Sequence, residues 1–218
     1  MGLLDRLAPR KNESDTRPNG PAAPALDPIF NTKALPKFLA SLTSRESPTL
    51  LDLGPVVGSN VSFFGEQLGC KIFVEDIFAD VDRHVRAGTL EELPAFLKKR
   101  FPQETGSVDG ILCWDLIDYM DRPSATELAR ELTRVLRPDG ALLAFFRAAA
   151  QPHHDAQYTK FIVADEGNLK HRPYPSARGR QAVLLNRDII RMFAGLRVSD
   201  SFLLQNNLRE ILFRKPVG

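Results

Sequence analysis

The sequence has little of several features that mark particular protein classes. It contains two cysteines, and its 29 lysines and arginines against 27 acids leave a net charge of +2. Two cysteines are too few for a disulfide scaffold, and so small a charge is unsuited to neutralising nucleic-acid phosphates over a broad face. No apolar run approaches the roughly 18 residues of a membrane-spanning helix. We therefore expect a cytoplasmic protein without a membrane or nucleic-acid partner.

What is present points to one folded domain behind a tail. The chain has 218 residues, 43% hydrophobic, which is enough for a single compact core. Residues 8–28 are rich in proline and poor in large apolar side chains, so they cannot offset their ordering entropy. We predict a flexible tail over 1–28 and a domain over 29–218. A leucine-rich tip, Leu3, Leu4 and Leu7, is either a docking peptide for a protein partner or a frayed end that folds onto its own domain.

Strand and helix patterns alternate through the domain. Helical periodicity is found over residues 33–42, 59–68, 90–101, 121–136 and 186–193, and short apolar strands over 49–54, 70–75, 108–114 and 141–146. Ser124 and Glu127 have capping-box spacing. Alternation requires right-handed crossovers between parallel strands, and residues 196–204 and 208–214 predict a terminal hairpin. The predicted fold is α/β, a doubly wound, mostly parallel sheet with a C-terminal antiparallel hairpin.

A ligand crevice is expected beyond the carboxyl end of the first strand. Gly54 and Gly58 allow a sharp turn there, ahead of a helix whose first N–H groups are unsatisfied. Glu75 follows Gly54 by 21 residues and ends the second strand, where a carboxylate can accept ribose hydroxyls. The alternatives are a plain strand-to-helix turn and a solvated acid.

Four sequence blocks follow one another in a set order: Leu51–Gly58, Val74–Asp76, Val108–Met120 and Arg134–Leu143. Together they resemble the class I S-adenosylmethionine-dependent methyltransferases. The resemblance implies a Rossmann-like methyltransferase fold with S-adenosylmethionine as cofactor. The first motif is degenerate, because Val56 stands where the family has its middle glycine, and the usual third strand is not evident between residues 80 and 107.

The resemblance also implies which residues hold the cofactor. They are Asp52, Gly54, Val56, Gly58, Glu75, Asp76, Ile77 and Trp114. The turn from Gly54 to Gly58 would cradle the methionine part, with Asp52 supporting its amino group. Glu75 would bind the ribose, while Asp76 and Ile77 would border the adenine. Trp114 and Asp115 would close the pocket near the amino or methyl end.

Methyl transfer requires little catalytic chemistry from the protein, because the methyl group of a sulfonium is already electrophilic. The protein mainly has to align this methyl group with its acceptor. A general base is useful where the acceptor loses a proton, and the implied catalytic residues are Asp115 and Tyr119, with His153 and His154 as further candidates. Adjacent histidines rarely ligate one ion, so no metal site is predicted. The basic segment 171–180 is interpreted as a substrate cover whose arginines hold an anionic acceptor, or as an exposed loop.

Two functional hypotheses follow. The first is S-adenosylmethionine-dependent methyl transfer to a small molecule or a protein side chain, favoured by Gly54, Gly58 and Glu75. The second is a noncatalytic interaction or scaffold module that has lost cofactor binding. Val56, the missing third strand and the leucine-rich tip favour the second hypothesis.

Overall fold

The computed structural model of the chain describes residues 27–149, 156–181 and 183–217. Within these residues the strands are β1 (Ile29–Asn31), β2 (Thr49–Asp52), β3 (Lys71–Val74), β4 (Val108–Trp114), β5 (Leu136–Arg147), β6 (Gln157–Asp165), β7 (Asn168–Pro175), β8 (Arg197–Leu203) and β9 (Leu208–Arg214). The helices are α1 (Ala34–Thr43), α2 (Gly58–Val61), α3 (Ile77–Ala87), α4 (Leu93–Leu97), α5 (Arg122–Val135) and α6 (Asn186–Met192). A π-helical segment, Ser62–Gln67, continues α2, and short 3₁₀ turns cover Leu90–Glu92 and Leu116–Tyr119. No helix in these ranges has the length and apolarity needed to cross a bilayer.

A central sheet carries the fold, with strand order β3-β2-β4-β5-β9-β8. The first four strands in this order are parallel. β9 runs antiparallel to β5, and β8 runs antiparallel to β9. The predicted mostly parallel sheet with a C-terminal antiparallel hairpin is confirmed.

Helices cover both faces of this sheet, as a doubly wound fold requires. Successive side chains of a strand point to opposite faces, so Leu50 packs with α1 and the next residue, Leu51, packs with α5. Leu142 and Leu143 of β5 divide between the same two cores. Because both faces of these strands are buried, the strands are unbroken apolar runs in the sequence.

The third strand usual in the resembled family is missing, as expected. Residues 88–107 are all described and contain no strand, so β3 forms the edge of the sheet. The predicted helix over 90–101 is only partly formed, because α4 ends at Leu97. The residues after it turn back toward β3, where Arg100 pairs with Glu75 and Asp80.

A second, antiparallel sheet of order β1-β7-β6 was not predicted. Its strands β6 and β7, the cover hairpin (Gln157–Pro175), pack against the α1 and α2 side of the central sheet through Phe161, Val163 and Leu169. Asn60 in α2 fixes the hairpin, because its Nδ2 donates to the Phe161 carbonyl and its Oδ1 accepts from the Val163 N–H, both at 2.8 Å.

Two helix starts depend on acids that the sequence patterns did not identify. α5 is capped by Asp121, whose carboxylate accepts from the Ser124 N–H at 2.9 Å, so the predicted capping role of Ser124 is wrong. The N-cap residue of α1, Lys33, makes no side-chain capping bond, and Thr32 Oγ1 accepts from the Leu35 N–H at 3.3 Å. Glu210 of β9, fully buried, accepts from the N–H groups of Lys33 and Ala34 at 2.8 Å each and so anchors this helix to the sheet.

Candidate functional site

The carboxyl ends of β2, β3 and β4 lie at one edge of the central sheet, and the predicted site residues follow them. Asp52 is the last residue of β2, and Trp114 is the last residue of β4. The glycine turn, Gly54–Gly58, joins β2 to α2. The structure brings Asp52, Gly54 and Trp114 into contact, whereas Glu75, after β3, is engaged by other residues.

One carboxylate oxygen of Asp52 is engaged within the protein. The residue is 2% exposed, and its Oδ1 accepts from the Gly54 N–H at 2.9 Å and from the Trp114 Nε1–H at 2.7 Å. Burial raises the pKa of this carboxyl to about 6, against the opposing effect of the two donors. The group implied to support a cofactor's amino group therefore already has two protein partners.

The indole of Trp114 is held over Gly54. The residue has φ of 51°, in the left-handed region, and its ring lies parallel to that of Phe161 with centroids 5.3 Å apart. Phe145 packs edge-on against both rings, with centroids 5.7 Å from Trp114 and 5.1 Å from Phe161. A Cβ added to Gly54 would lie 2.9 Å from two indole atoms. The indole thus fills the space directly against this glycine.

The rest of the glycine turn, at Val56 and Gly58, is not packed against other side chains. Val56 is 66% exposed, and a Cβ added to Gly58 would meet no atom within 4 Å. Val56 was expected to be the obstacle to a cofactor in this turn. The side chain that contacts Gly54 is instead Trp114, which the resemblance had assigned to the pocket wall.

Glu75 already has donors on both carboxylate oxygens. Arg100 Nη1 donates to Oε2 at 2.5 Å, and Gln103 Nε2 donates to Oε1 at 2.9 Å. The same guanidinium donates to the Glu75 carbonyl at 2.8 Å and, through Nε, to Asp80 at 2.8 Å. Arg100 and Gln103 belong to the segment that stands where a third strand would be. The predicted ribose acid is therefore part of an internal ion-pair network.

The two residues implied to border adenine have different environments. Asp76, with φ of 29°, caps α3 by accepting from the Ala79 N–H at 3.2 Å, and burial raises the pKa of its carboxyl. Ile77 is fully buried in the core on the α5 side of the sheet. Asp76 lines a cleft, whereas the side chain of Ile77 is a packing residue.

The implied catalytic residues Asp115 and Tyr119 do lie together, but below the surface. They are 0% and 2% exposed, and the Tyr119 hydroxyl donates to Asp115 Oδ2 at 3.5 Å. Arg180 donates to the same oxygen at 2.5 Å, and its guanidinium lies 4.9 Å from the Tyr119 ring centroid. Burial raises the pKa of Asp115, and Arg180 opposes that rise. A carboxylate held in this way is not free to accept a proton from a substrate.

Asp118 and Arg147 complete this buried cluster. Asp118 accepts from the Arg147 N–H at 2.7 Å, and burial raises the pKa of its carboxyl to about 7. Asp115 Oδ1, Arg147 Nε and Arg180 Nε are buried without a hydrogen-bond partner among the described residues. In the sequence, only the basic segment 171–180 pointed toward this cluster. Its Arg180 binds the protein's own carboxylate instead of an anionic methyl acceptor.

The histidine candidates gain no support. His153 and His154 lie outside the described residues. His171 stacks on Phe30 with ring centroids 4.1 Å apart, and burial lowers its pKa to about 4.

Two clefts flank Val56. The α3 cleft, about 730 Å³, lies between α3 and the cover hairpin, and its walls include Asp76, Asp82 and Tyr174. The turn cleft, about 390 Å³, lies between residues 56–59 and the hairpin side chains Lys160, Lys170 and Arg172. Val56 and Lys160 line both clefts.

A comparison with models of protein families shows to which family the chain belongs. A model of the methyltransferase domain matches residues 21–184, more than half of the 218 residues. The chain belongs to the methyltransferase domain family. This membership supports methyl transfer as the chemistry associated with the domain. No curated protein sequence matches the chain.

Solved structures, among them methyltransferases, share the fold. An S-adenosylmethionine-dependent methyltransferase from Clostridium acetobutylicum ATCC 824 superposes with a TM-score of 0.52 at 11% identity, covering 84% of this chain and 91% of that one. The PH0226 protein from Pyrococcus horikoshii OT3 gives 0.51 at 16% identity, covering 83% and 87%. The Burkholderia thailandensis 1,6-didemethyltoxoflavin-N1-methyltransferase, with bound 1,6-didemethyltoxoflavin and S-adenosylhomocysteine, gives 0.50 at 14% identity, covering 84% and 79%. At these identities the likeness concerns the fold alone.

Proposed function

We propose that this methyltransferase-family domain is a noncatalytic binding module. The observation that carries the proposal is the contact of the Trp114 indole with Gly54 and Asp52. In the arrangement that the family implies, the methionine part of S-adenosylmethionine needs the surface of Gly54, and its amino group needs Asp52. The indole packs against Gly54 and its N–H occupies Asp52 Oδ1, so the residues present do not fit the cofactor in that position.

Glu75, the residue implied to bind the ribose of the cofactor, is also engaged by protein donors. Glu75 would have to bind a neutral ribose in the presence of Arg100, to which it is joined by a charge-assisted hydrogen bond of 2.5 Å. Charge-assisted bonds are roughly twice as strong as neutral ones. Ribose hydroxyls therefore compete poorly for these carboxylate oxygens.

Calorimetry of the full chain with S-adenosylmethionine and S-adenosylhomocysteine tests the proposal. We expect no heat of binding and no rise in melting temperature at millimolar ligand, because ligand binding to the native state would stabilise it. Micromolar binding that is lost in the Asp52→Asn variant would overturn the proposal, since it would show that the cofactor uses this position.

The second candidate is S-adenosylmethionine-dependent methyl transfer to a small molecule or a protein side chain. The family match over residues 21–184 and the retained glycines Gly54 and Gly58 favour it. It requires Trp114 to leave Gly54, and Arg180 to leave Asp115 before Asp115 or Tyr119 can act as a base. Transfer of a labelled methyl group to an added acceptor, lost in Glu75→Ala, would establish this function.

The proposal keeps the predicted division into a tail and a domain, but it assigns Asp27 to the domain. Residues 1–26, which include the leucine-rich tip, lie outside the described residues. Asp27 belongs with the domain, because its carboxylate pairs with Arg172 at 2.6 Å. Deletion of residues 1–26 should therefore leave the melting temperature unchanged, and a drop of several degrees would place part of the tail in the fold.

A further inference from the structure

We propose that residues 2–8 of this chain, the segment that carries the leucine-rich tip, dock as an extended strand in a groove of their own domain. This edge groove, about 600 Å³, lies between β1 and the turn from β8 to β9, and its walls include Ile29–Asn31 and Leu203–Asn206. The described residues that line it do not belong to the glycine turn. The inference therefore goes beyond the proposed function and does not depend on it.

The edge groove is an apolar surface on the outside of the domain. Ile29 and Leu203 are 61% and 63% exposed, and their sequence neighbours Phe30 and Leu204 are half-buried. Grouped exposed apolar side chains, unlike scattered ones, mark sites where another segment packs. We therefore expect an apolar occupant.

Two unpaired strand edges border this groove, because β1 and β8 are the outermost strands of their sheets. The Pro28 carbonyl accepts from β7 at 3.1 Å, and the Thr32 N–H donates to the turn before β7 at 2.9 Å. The backbone groups of Ile29 and Asn31 alternate with these and point away from β7. An extended segment in the groove can pair with them, as in the addition of a strand to a sheet edge.

Residues 2–8 are the part of the segment before Asp27 that suits such an edge. Proline lacks the N–H that a paired strand needs, and prolines stand at positions 9, 18, 21 and 24. Residues 10–17 contain no large apolar side chain. Residues 2–8 have no proline and contain three leucines, Leu3, Leu4 and Leu7.

The segment joins the domain close to the edge groove. Asp27 is the first described residue, and Ile29, two positions on, lines the groove. Residues 9–26 reach at most about 60 Å, which is ample for a return to the groove. A tether of this length keeps residues 2–8 at a local concentration on the order of millimolar, so a millimolar affinity fills the groove about half of the time. Docking of this strength favours the folded chain only about twofold, which changes the melting temperature by about 1 °C.

The charges of the groove and of the segment are complementary. Lys33 is the one charged side chain among the described residues of the lining, and it is exposed and makes no capping bond. Alternate side chains of an extended strand share a face, so Leu3, Asp5 and Leu7 point the same way. Leu3 and Leu7 enter the groove in this arrangement, and Asp5 between them meets Lys33.

Disulfide trapping in the full chain tests the inference. Ala8→Cys/Gln205→Cys puts one thiol at the end of the segment and the other at an exposed position of the groove, and it keeps all the leucines. Ala8→Cys/Val56→Cys is the matched control, because Val56 is 66% exposed and lines the same cleft as Asp27, where the segment joins the domain. In a glutathione redox buffer we expect the groove pair to form its intrachain disulfide at least fivefold faster than the control pair.

The natural thiols do not interfere, because Cys70 and Cys113 are both buried. Adding Leu3→Ser/Leu7→Ser should slow the groove disulfide to the rate of the control pair and leave the control rate unchanged. These two positions lie before the described domain, so its folding is not at risk. Adding Lys33→Glu should slow the groove disulfide about twofold by repelling Asp5, whereas Lys99→Glu, at an exposed lysine outside the groove lining, should not.

Equal rates for the groove pair and the control pair would overturn the inference, as would a groove rate that Leu3→Ser/Leu7→Ser leaves unchanged. A disulfide between two chains, visible as a dimer on a non-reducing gel, would also overturn it, because the occupant would then be the segment of a second copy. None of these rates depends on S-adenosylmethionine. Failure of the docking inference therefore leaves the proposed function untouched, and cofactor binding in the calorimeter contradicts only the proposed function.

Discussion

Trp114→Phe is the most informative single substitution, because it keeps an aromatic ring over Gly54 and removes the indole N–H that reaches Asp52. The smaller ring adds a packing cost, but that cost is the same at every pH. Trp114 is 2% exposed, and its Nε1 lies 2.7 Å from Asp52 Oδ1. Burial raises the pKa of this carboxyl to about 6. At pH 8 the lost bond is therefore one to a buried carboxylate, and at pH 5 it is one to a mostly neutral acid.

The hydrogen bonds at the two pH values contribute different amounts of free energy. A hydrogen bond to a charged group contributes about 1.5–3 kcal/mol, and one between neutral groups contributes about 1 kcal/mol. We expect Trp114→Phe to lower the free energy of unfolding by about 2–3 kcal/mol at pH 8 and by about 1 kcal/mol at pH 5. The pKa of Asp52 should rise further in the variant, because the indole N–H is one of the groups that lower it.

Urea denaturation of wild type and variant at both pH values measures this difference. The Asp52→Asn background is the matched control, because an amide oxygen still accepts from the indole but carries no charge. In that background the cost of Trp114→Phe should be about 1 kcal/mol at both pH values. A cost under about 0.5 kcal/mol at pH 8 in the otherwise wild-type chain would refute the hydrogen bond, and with it the argument that the indole is fixed over Gly54.

Three further predictions concern buried charges. Arg180→Leu should cost about 3–5 kcal/mol in urea denaturation, because it leaves Asp115 without its counterion; the double variant Arg180→Leu/Asp115→Leu should recover most of that loss. Glu210→Ala should cost about 2 kcal/mol by removing the acceptor at the start of α1, and Glu210→Gln should cost less. Asp52 binds its proton more tightly in the folded state, with a pKa of about 6 against 3.8, so its contribution to stability falls by about 2.4 kcal/mol as pH rises from 4 to 7. Asp52→Asn should flatten the pH profile by that amount.

The central sheet could be predicted because its signals are local. The strands β2, β3 and β4 and the 141–146 part of β5 are short apolar runs. In β2 the adjacent leucines Leu50 and Leu51 pack into opposite cores. The cover hairpin could not be found in this way. Its strands carry charged residues such as Lys160 and Lys170, and what holds them is a long-range bond pair from Asn60.

The site was harder to predict than the sheet, for a physical reason. Sequence motifs locate Asp52, Gly54 and Glu75 at strand ends but do not say which side chains cover them. Trp114 lies 62 residues from Asp52, and Arg100 lies 25 residues from Glu75. Whether a strand-end acid meets a ligand or a protein donor depends on such distant residues, and no local pattern contains that information.

The loss of the third strand and the ion pair of Glu75 are physically connected. Without that strand β3 becomes the sheet edge, and Glu75 and Asp80 lie side by side with 14% and 9% of their side chains exposed. Two partly buried carboxylates need a counterion, and Arg100 provides it from the segment after α4. This network is separate from the contact of Trp114 with Gly54.

Removing one obstacle should therefore not restore a cofactor site. We expect Trp114→Ala to lose about 3–5 kcal/mol of stability, as a large buried side chain is removed, and still to give no heat with S-adenosylmethionine at millimolar concentration. Glu75 remains bound to Arg100 in that variant, so the ribose has no free acid. If Trp114→Ala bound the cofactor at micromolar concentration, the indole would be the sole obstacle and the ion pair of Glu75 would have no part in excluding it.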